Sequence, residues 1–440
     1  MKKEKTIARR EFVKTTGLAA GAILMTSGVL NANVHSEVDD SIKVGLIGCG
    51  GRGTGAALQA LLSGQNVQLV AMGDAFEDRV KKSLKDIKTA LEETDIPSDR
   101  LKVDESRQFW GFDSFEKVIP LCDVVILTAP PGFRPTHFEA SIKAGKHVFM
   151  EKPLAVDGPG VRSILDTAAE AKKKKLNVVV GLQRHYESLY TRWVELMQEG
   201  AIGEILHSRV YWNSDGVWVN ERKSGQTEME YQMRNWYYFN WLCGDHITEQ
   251  HIHNIDVSNW VKMDYPVMAY GTGGRQVRNG KDHGEIFDHH IVEFEYADGS
   301  RMFSQCRHIP GTDTRVTEAF QGSNGSAPKP GLLLTKSGHV LYKFEGENRN
   351  PYQVEHDLLF EAVAKGEFKF EDAENGAKST MTSILGRMAT YSGVPVKWED
   401  AMNSTINLMP EKLDWNALPK VLPDERGFYP IAIPGKTKAW

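Results

Sequence analysis

The chain has 440 residues, a length that suggests two or three domains, and its 41% apolar and 25% charged residues are the proportions of an ordinary globular protein. A net charge of −5 over that length argues against nucleic acid or an acidic surface as partner. The four cysteines, Cys49, Cys122, Cys243 and Cys306, are far apart, form no CxxC or other metal-like spacing, and read as buried free thiols.

The N-terminus carries Lys2, Lys3, Lys5, Arg9, Arg10 and Lys14, followed by an apolar stretch from Gly17 to Leu30. That stretch is shorter than the roughly 20 residues needed to span a bilayer, so a removable signal is expected rather than a permanent membrane helix. Arg9-Arg10-Glu11-Phe12-Val13-Lys14 resembles a twin-arginine export signal, and residues 1–36 are read as that signal. The expected location is therefore the periplasm or outside the cell. A basic amphipathic start on a cytoplasmic protein is the plainer alternative.

From Ser41 the sequence reads as a dinucleotide domain. Ile42 to Ile47 is a continuous apolar run with β-branched residues, the pattern of a strand buried on both faces. Gly48-Cys49-Gly50-Gly51-Arg52-Gly53 follows, and Thr54 to Leu62 has helical spacing. Strand, GxGxxG and helix in that order form the context that makes the motif specific. Gly48 permits the tight turn, Gly50 lets the backbone approach a pyrophosphate, and Gly53 lets helix pack on strand. Gly51 and Arg52 belong to the same helix N-terminus, which offers unpaired N–H groups to phosphate.

Gln65 to Met72 reads as the next strand, and Asp74 ends it, 21 residues beyond Gly53. An acid there binds the adenosine ribose hydroxyls and repels a 2′-phosphate, so NAD is expected over NADP. Arg52 and Arg79 are the nearby residues that could soften that preference. Further strands are expected at Asp123 to Leu127 and His147 to Met150, with a helix from Pro135 to Ala144 between them ended by Gly145. Thr128 and Pro130 form the wall against the cofactor. His137, in that helix, is placed near the cofactor, with a structural role as the open alternative. A helix from Gly160 to Lys175 and a strand from Asn177 to Gly181 close the domain.

The run His147 to Met150 leads into Glu151-Lys152-Pro153. A lysine at that point lies at the carboxyl edge of a parallel sheet, where open α/β sheets bind their ligands, and the proline behind it stiffens the backbone. Further on, the sequence Asp245-His246-Ile247-Thr248-Glu249-Gln250-His251-Ile252-His253-Asn254-Ile255-Asp256 is dense in acid–base side chains. Read as one helix, it puts Glu249 and His253 on a single face with His246 a turn earlier. The same spacing also permits a metal held by His246, Glu249 and His253.

Taken together, these stretches resemble the Gfo/Idh/MocA family (glucose–fructose oxidoreductase and inositol dehydrogenase). The residues carrying the resemblance are Val44 to Gly53, Thr128 to His137, Ala144 to Val148, Glu151 to Ala155, Gly181 to Arg184, and Gln250 to Asp256. It implies an α/β protein: an N-terminal Rossmann domain with a doubly wound parallel sheet over 41–181, then an α/β domain over 182–407 with a large open, mostly antiparallel sheet. One sheet face closes the active site and the other packs against another subunit, so a homo-oligomer is expected. Residues 408–440 are Pro-rich and irregular, and read as an arm over the surface or a neighbour.

The resemblance also implies an NAD-dependent oxidoreductase acting on a hydroxyl of a sugar or glycoside, with no metal in its mechanism. Glu151, Lys152 and Gln183 join the glycine loop at the cofactor. Lys152 and His253 form the acid–base pair, with Glu249 beside His253 where the family usually has Asp. Substrate contacts are expected from Arg184, His185 and Tyr186, from Trp236 and Trp241 in an aromatic stretch, and from Asp245 and His246. Two other readings stay open: an NAD-dependent glycosidase working by transient oxidation and elimination, and a non-catalytic sugar sensor. The family's glycosidases usually lack the Glu-Lys-Pro lysine.

In the second domain, strands are expected at His207 to Trp212, His290 to Tyr296 and Arg301 to Cys306, with a hairpin turn over Ala297 to Ser300. A further hairpin is expected over Leu332 to Leu341. Tyr352 to Lys365 and Ala377 to Ser392 have helical spacing and are expected to pack on the sheet.

Overall fold

The structure, a computed structural model, describes residues 40–440; the signal expected at 1–36 lies outside the described residues. Six parallel strands form the first sheet: β1 (Ile42–Ile47), β2 (Val67–Asp74), β3 (Gln108–Trp110), β4 (Val124–Leu127), β5 (His147–Met150) and β6 (Val178–Val180). Their order is 3-2-1-4-5-6, the doubly wound arrangement whose ligand crevice lies beyond the carboxyl ends of β1 and β4. Helices cover both faces, which is why β1 and β4 are apolar without alternation. The strand β3 falls where no strand was expected, because three partly exposed residues carry no period.

The second sheet has nine strands in the order 14-13-12-11-7-10-9-8-15. They are β7 (Ile205–Ser214), β8 (Met268–Gly274), β9 (His289–Glu295), β10 (Arg301–His308), β11 (Arg315–Gly322), β12 (Gly325–Lys329), β13 (Leu332–Thr335), β14 (Val340–Lys343) and β15 (Val396–Lys397). Neighbours are antiparallel except β7 and β10, which run parallel. The β9–β10 hairpin turns over the expected residues, with Gly299 at φ +84°. In β10 burial alternates strictly: Met302, Ser304, Cys306 and His308 face the interior.

The interior face of this sheet is covered by the helices Ile252–Lys262 and Ala373–Ser392. The second of these also packs on the Gly158–Lys173 helix of the first domain and so ties the two domains together. The Pro351–Ala364 helix departs from expectation. It packs on the Gly51–Leu61 helix, and its Leu359 and Phe360 sit in the nucleotide-domain core with Val44 and Leu46. Helical spacing revealed its apolar face but not which sheet that face would meet.

Residues 408–440 form neither helix nor strand and lie over their own chain. Trp415 sits on Phe76 and Phe112, at ring distances of 5.0 and 4.4 Å, and Tyr429 packs on Phe239 at 4.9 Å. Among the described residues no helix is long and apolar enough to cross a membrane.

Candidate active site

The glycine loop has the geometry a dinucleotide needs. Gly48 adopts φ +99°, and a side chain there would strike the Ala129 backbone. A Cβ on Gly53 would lie 1.9 Å from the Gly48 carbonyl oxygen, so helix and strand approach only because both positions lack one. Gly50 and Gly51 face open space, and no side chain caps the Gly51–Leu61 helix. Its first N–H groups and the positive end of its dipole are thus presented to an anion. The Thr128 hydroxyl donates to the Gly48 carbonyl at 2.6 Å and fixes the wall of the crevice, and Pro130 precedes the Pro131–Phe133 turn.

Asp74 ends β2 beside that loop. Its carboxylate accepts from the Cys49 N–H at 2.7 Å and the Phe76 N–H at 3.0 Å, and burial pushes its pKa up. Arg52 does not turn toward a ribose phosphate. Its three nitrogens donate to Glu151 at 2.5 Å, Gln59 at 2.8 Å and Glu355 at 3.0 Å, with Phe149 and Tyr352 flanking the guanidinium. Burial opposes its charge, but Glu151 and Glu355 more than offset that and raise its pKa. With Arg52 engaged and Asp74 in place, the loop suits NAD.

Glu151 therefore serves the scaffold. Its carboxylate lies where a Cβ on Gly181 would be, and its carbonyl accepts from the Arg134 Nε at 2.9 Å. Arg134, which the sequence reading passed over, also donates to the Ala129 carbonyl at 2.6 Å; burial lowers its pKa to about 10. Its only sequence signal is its place in Pro131-Gly132-Phe133-Arg134-Pro135. His137 corrects one expectation. It is buried between Phe115 and Phe133, and burial, then Arg134, lowers its pKa to about 3, so it packs as a neutral ring. Gln183 is half-buried, and its Oε1 has no partner.

Lys152 reaches from the end of β5 to the second domain. Its ammonium donates to the Glu249 carbonyl at 2.7 Å and lies 3.3 Å from the Glu249 carboxylate. His253 lies close enough to feel that charge: burial first, then Lys152, drives its pKa well below the usual imidazole value. It is neutral near pH 7 and stacks on Trp212 at 5.8 Å, and its buried Nδ1 has no hydrogen-bond partner among the described residues. A largely enclosed ammonium and a neutral imidazole with an unpartnered Nδ1 among the described residues are parts from which an acid–base pair can be built.

The geometry corrects the expected helix. Residues His246–Glu249 form one short helix, and His253 belongs to the next, Ile252–Lys262, after a turn at Gln250 and His251. Glu249 consequently pairs with Lys152 and not with His253. Asp256 turns to His185 at 2.7 Å, with Ser379 donating to its other oxygen. The metal set of His246, Glu249 and His253 does not form: His246 faces Asp245 instead.

Most of the expected substrate contacts are likewise committed elsewhere. Arg184 pairs with buried Glu318, which also accepts from Asn254 and Tyr190. His185 stacks on Trp260 at 4.0 Å, and Tyr186 donates to Asp372. Trp241 is a core residue whose indole donates to Gln232 at 2.7 Å. Asp245 and His246 are wholly buried. Trp236, half-buried like His185 and Tyr186, has no such polar partner among the described residues and lies edge-on to exposed Trp218 at 5.9 Å. Two side chains have polar atoms without partners among the described residues: the Trp212 indole nitrogen against His253, which was not foreseen, and the hydroxyl of Tyr237, from the expected aromatic stretch, which lies near Glu249.

A nucleotide-binding sheet, a glycine loop open to phosphate and a lysine at its carboxyl edge define a dinucleotide-dependent oxidoreductase. Residues 42–182 match the family described as "Oxidoreductase family, NAD-binding Rossmann fold", GFO_IDH_MocA. The chain is an NAD-dependent oxidoreductase, and the match to the Gfo/Idh/MocA family lies in its nucleotide-binding domain. It is 26% identical over 370 residues to inositol 2-dehydrogenase of Serratia proteamaculans, covering 81% of this chain and 96% of the relative. Among solved structures, scyllo-inositol dehydrogenase of Lactobacillus casei with NAD(H) and scyllo-inositol has a TM-score of 0.61 at 17% identity, covering 82% of this chain and 99% of that one. The aldose–aldose oxidoreductase of Caulobacter crescentus complexed with glycerol has 0.60 at 16%, covering 81% and 99%. These structural likenesses show the shared fold.

Proposed function

We propose that the protein oxidises or reduces a secondary carbinol of a sugar, cyclitol or glycoside, with Lys152 and His253 as its acid–base pair. The observation that carries this is the convergence at the sheet edge of the Lys152 ammonium with neutral His253, whose Nδ1 has no partner among the described residues. The relatives named for inositol and aldose oxidoreductases support a polyhydroxylated substrate. Bound NAD supplies a hydride acceptor at its nicotinamide ring. Lys152 donates a hydrogen bond to the carbinol oxygen and holds it in place, while His253 takes the hydroxyl proton. The Glu249 carbonyl and carboxylate keep the ammonium at that oxygen. Trp212 offers an aromatic wall and an N–H to the ring being oxidised.

The test is incubation of the purified holo-protein with a panel of cyclitols, aldoses and glycosides, following the NADH absorbance band and product mass. A keto product with reduced cofactor supports the dehydrogenase. Free sugar from a glycoside without net NADH overturns it in favour of transient oxidation and elimination, and no product on the whole panel favours a sensor.

Two wider expectations belong to the same proposal. Arg9 and Arg10 direct export, so their replacement by lysine should retain the protein in the cytoplasm, as read by fractionation. The outer face of the nine-stranded sheet exposes Tyr270, Ile291 and Phe303, and this face is read as a contact between copies of the chain. Sedimentation of a Phe303→Glu, Ile291→Glu variant as a monomer, beside an oligomeric parent, is the expected result.

A further inference from the structure

We propose that Trp218, with Trp236 beside it, forms an aromatic platform for a second sugar ring at the mouth of the active site. Resting on the carbinol reaction proposed for that site, this makes the substrate a disaccharide or other glycoside, and not a free sugar or cyclitol.

The strand that walls the site leads to the platform. β7 sets Trp212 against His253 and ends at Ser214. The chain then turns at Gly216, which adopts φ +105°, and a Cβ there would lie 3.4 Å from the His308 side chain. Glycine takes such a turn without strain. His308 is in turn bonded through its Nε2 to Gln250 at 2.7 Å, next to Glu249. Trp218 follows the turn, and its ring lies 6.2 Å from that of Tyr237. The Tyr237 hydroxyl feels the Glu249 carboxylate, and Glu249 holds the Lys152 ammonium. A short run of contacts thus joins the platform to the lysine.

The loop is built to hold an indole out in solvent. Residues 215–227 form neither helix nor strand, yet they are pinned on both sides of Trp218. The Tyr238 hydroxyl donates to the Val217 carbonyl at 3.4 Å. The Asn220 N–H donates to the Asn235 side chain at 2.9 Å, and its own side chain donates to the Arg234 carbonyl at 2.7 Å. Between these anchors Trp218 stays 45% exposed, with Val219 exposed beside it. Apolar area held in water on an anchored loop gains nothing for the fold and marks a binding surface.

Trp236 meets the Trp218 indole at 5.9 Å, inclined by 64°, and Tyr237 is inclined to it by 70°. Neither ring lies flat on the indole, so its face is left to take the apolar C–H face of a sugar ring. The anchors fix it in advance, which lowers the entropy cost of binding. Trp212 stands against His253 while Trp218 stands at the surface. A ring that presents its carbinol to Lys152 is walled by the first, and what reaches the second is a ring joined to it by a glycosidic bond.

The test takes purified holo-protein and matched pairs of sugars: glucose with cellobiose, galactose with lactose, mannose with mannobiose. Rapid mixing follows reduction of the bound cofactor at the NADH band and yields a dissociation constant for each sugar. In at least one pair the disaccharide should bind about tenfold more tightly than its monosaccharide, the worth of one good aromatic contact. Trp218→Ala should abolish that preference, and Trp218→Phe should keep part of it. No preference in the parent protein overturns the platform, as does a preference that survives Trp218→Ala. If in that case the variant's sedimentation changes instead, the exposed indole belongs to a contact with a second copy of the chain. Where no sugar reduces the cofactor, calorimetry reads the same constants. A Trp218-dependent preference for the disaccharide then upholds the platform while the redox reading fails, and the lack of one overturns both.

Discussion

In the proposed reaction Lys152 and His253 divide one task by environment. The ammonium sits beside two Glu249 oxygens, while burial and that same ammonium keep the imidazole neutral. Replacing either by alanine should lower kcat by about 10²- to 10⁴-fold, the usual range for a general acid or base, with NAD still bound. Full turnover in either variant, with binding measured by fluorescence quenching, removes that residue from the pair. Lys152→Arg should rescue little, because a planar guanidinium cannot place one donor where the ammonium does. Gly53→Ala tests the cofactor loop: the added methyl meets the Gly48 carbonyl at 1.9 Å, so NAD affinity and melting temperature should both fall.

Individual strands and helices were the most legible level of this protein. The runs from Ile42 to Ile47 and His147 to Met150 announce their strands because burial on both faces leaves them apolar apart from Lys43 and His147, near their amino ends. The glycine loop was legible because its backbone demands particular residues, and Lys152 because sheet topology fixes what lies at a carboxyl edge. The partners of the polar side chains were not legible. Nothing local in Arg184, His185 and Tyr186 reveals that Glu318, Asp256 and Asp372, from 71 to 186 residues away, will claim them. The break at Gln250 and His251 was equally hidden, since the apolar spacing continues across it.

Helix burial also sets a pH dependence. His137 and His251 have pKa values lowered to about 3, in each case chiefly by burial. Above pH 6.5 both are neutral in folded and unfolded chains and contribute nothing to the pH dependence. Below it only the unfolded chain gains their protons, so each removes about 1.4 kcal/mol of stability per pH unit down to its folded pKa. Denaturant midpoints should therefore fall between pH 6.5 and 4. His137→Phe, which keeps the stacking without a titrating nitrogen, should flatten that slope.

At the scale of the whole molecule, the two domains meet over the nucleotide crevice, and more than one segment closes it. Arg234 of the second domain lies 3.6 Å above the Phe76 ring and grips Asp78 through two bonds of 2.9 and 2.8 Å, just beyond Asp74. Trp415 of the C-terminal stretch wedges onto Phe76 and Phe112 beside it. A dinucleotide seated under this cover cannot leave without peeling the chain back, and that has a kinetic consequence. A coenzyme covered in this way would act as a fixture refreshed in place, with one reactant departing before a second arrives to reset the redox state. Initial rates with an alcohol and a carbonyl reactant should give parallel reciprocal plots, and the coenzyme should survive gel filtration. Removing residues 408–440, or Trp415→Ala with Arg234→Ala where the truncated chain does not fold, should turn those lines into intersecting ones and make turnover depend on added NAD.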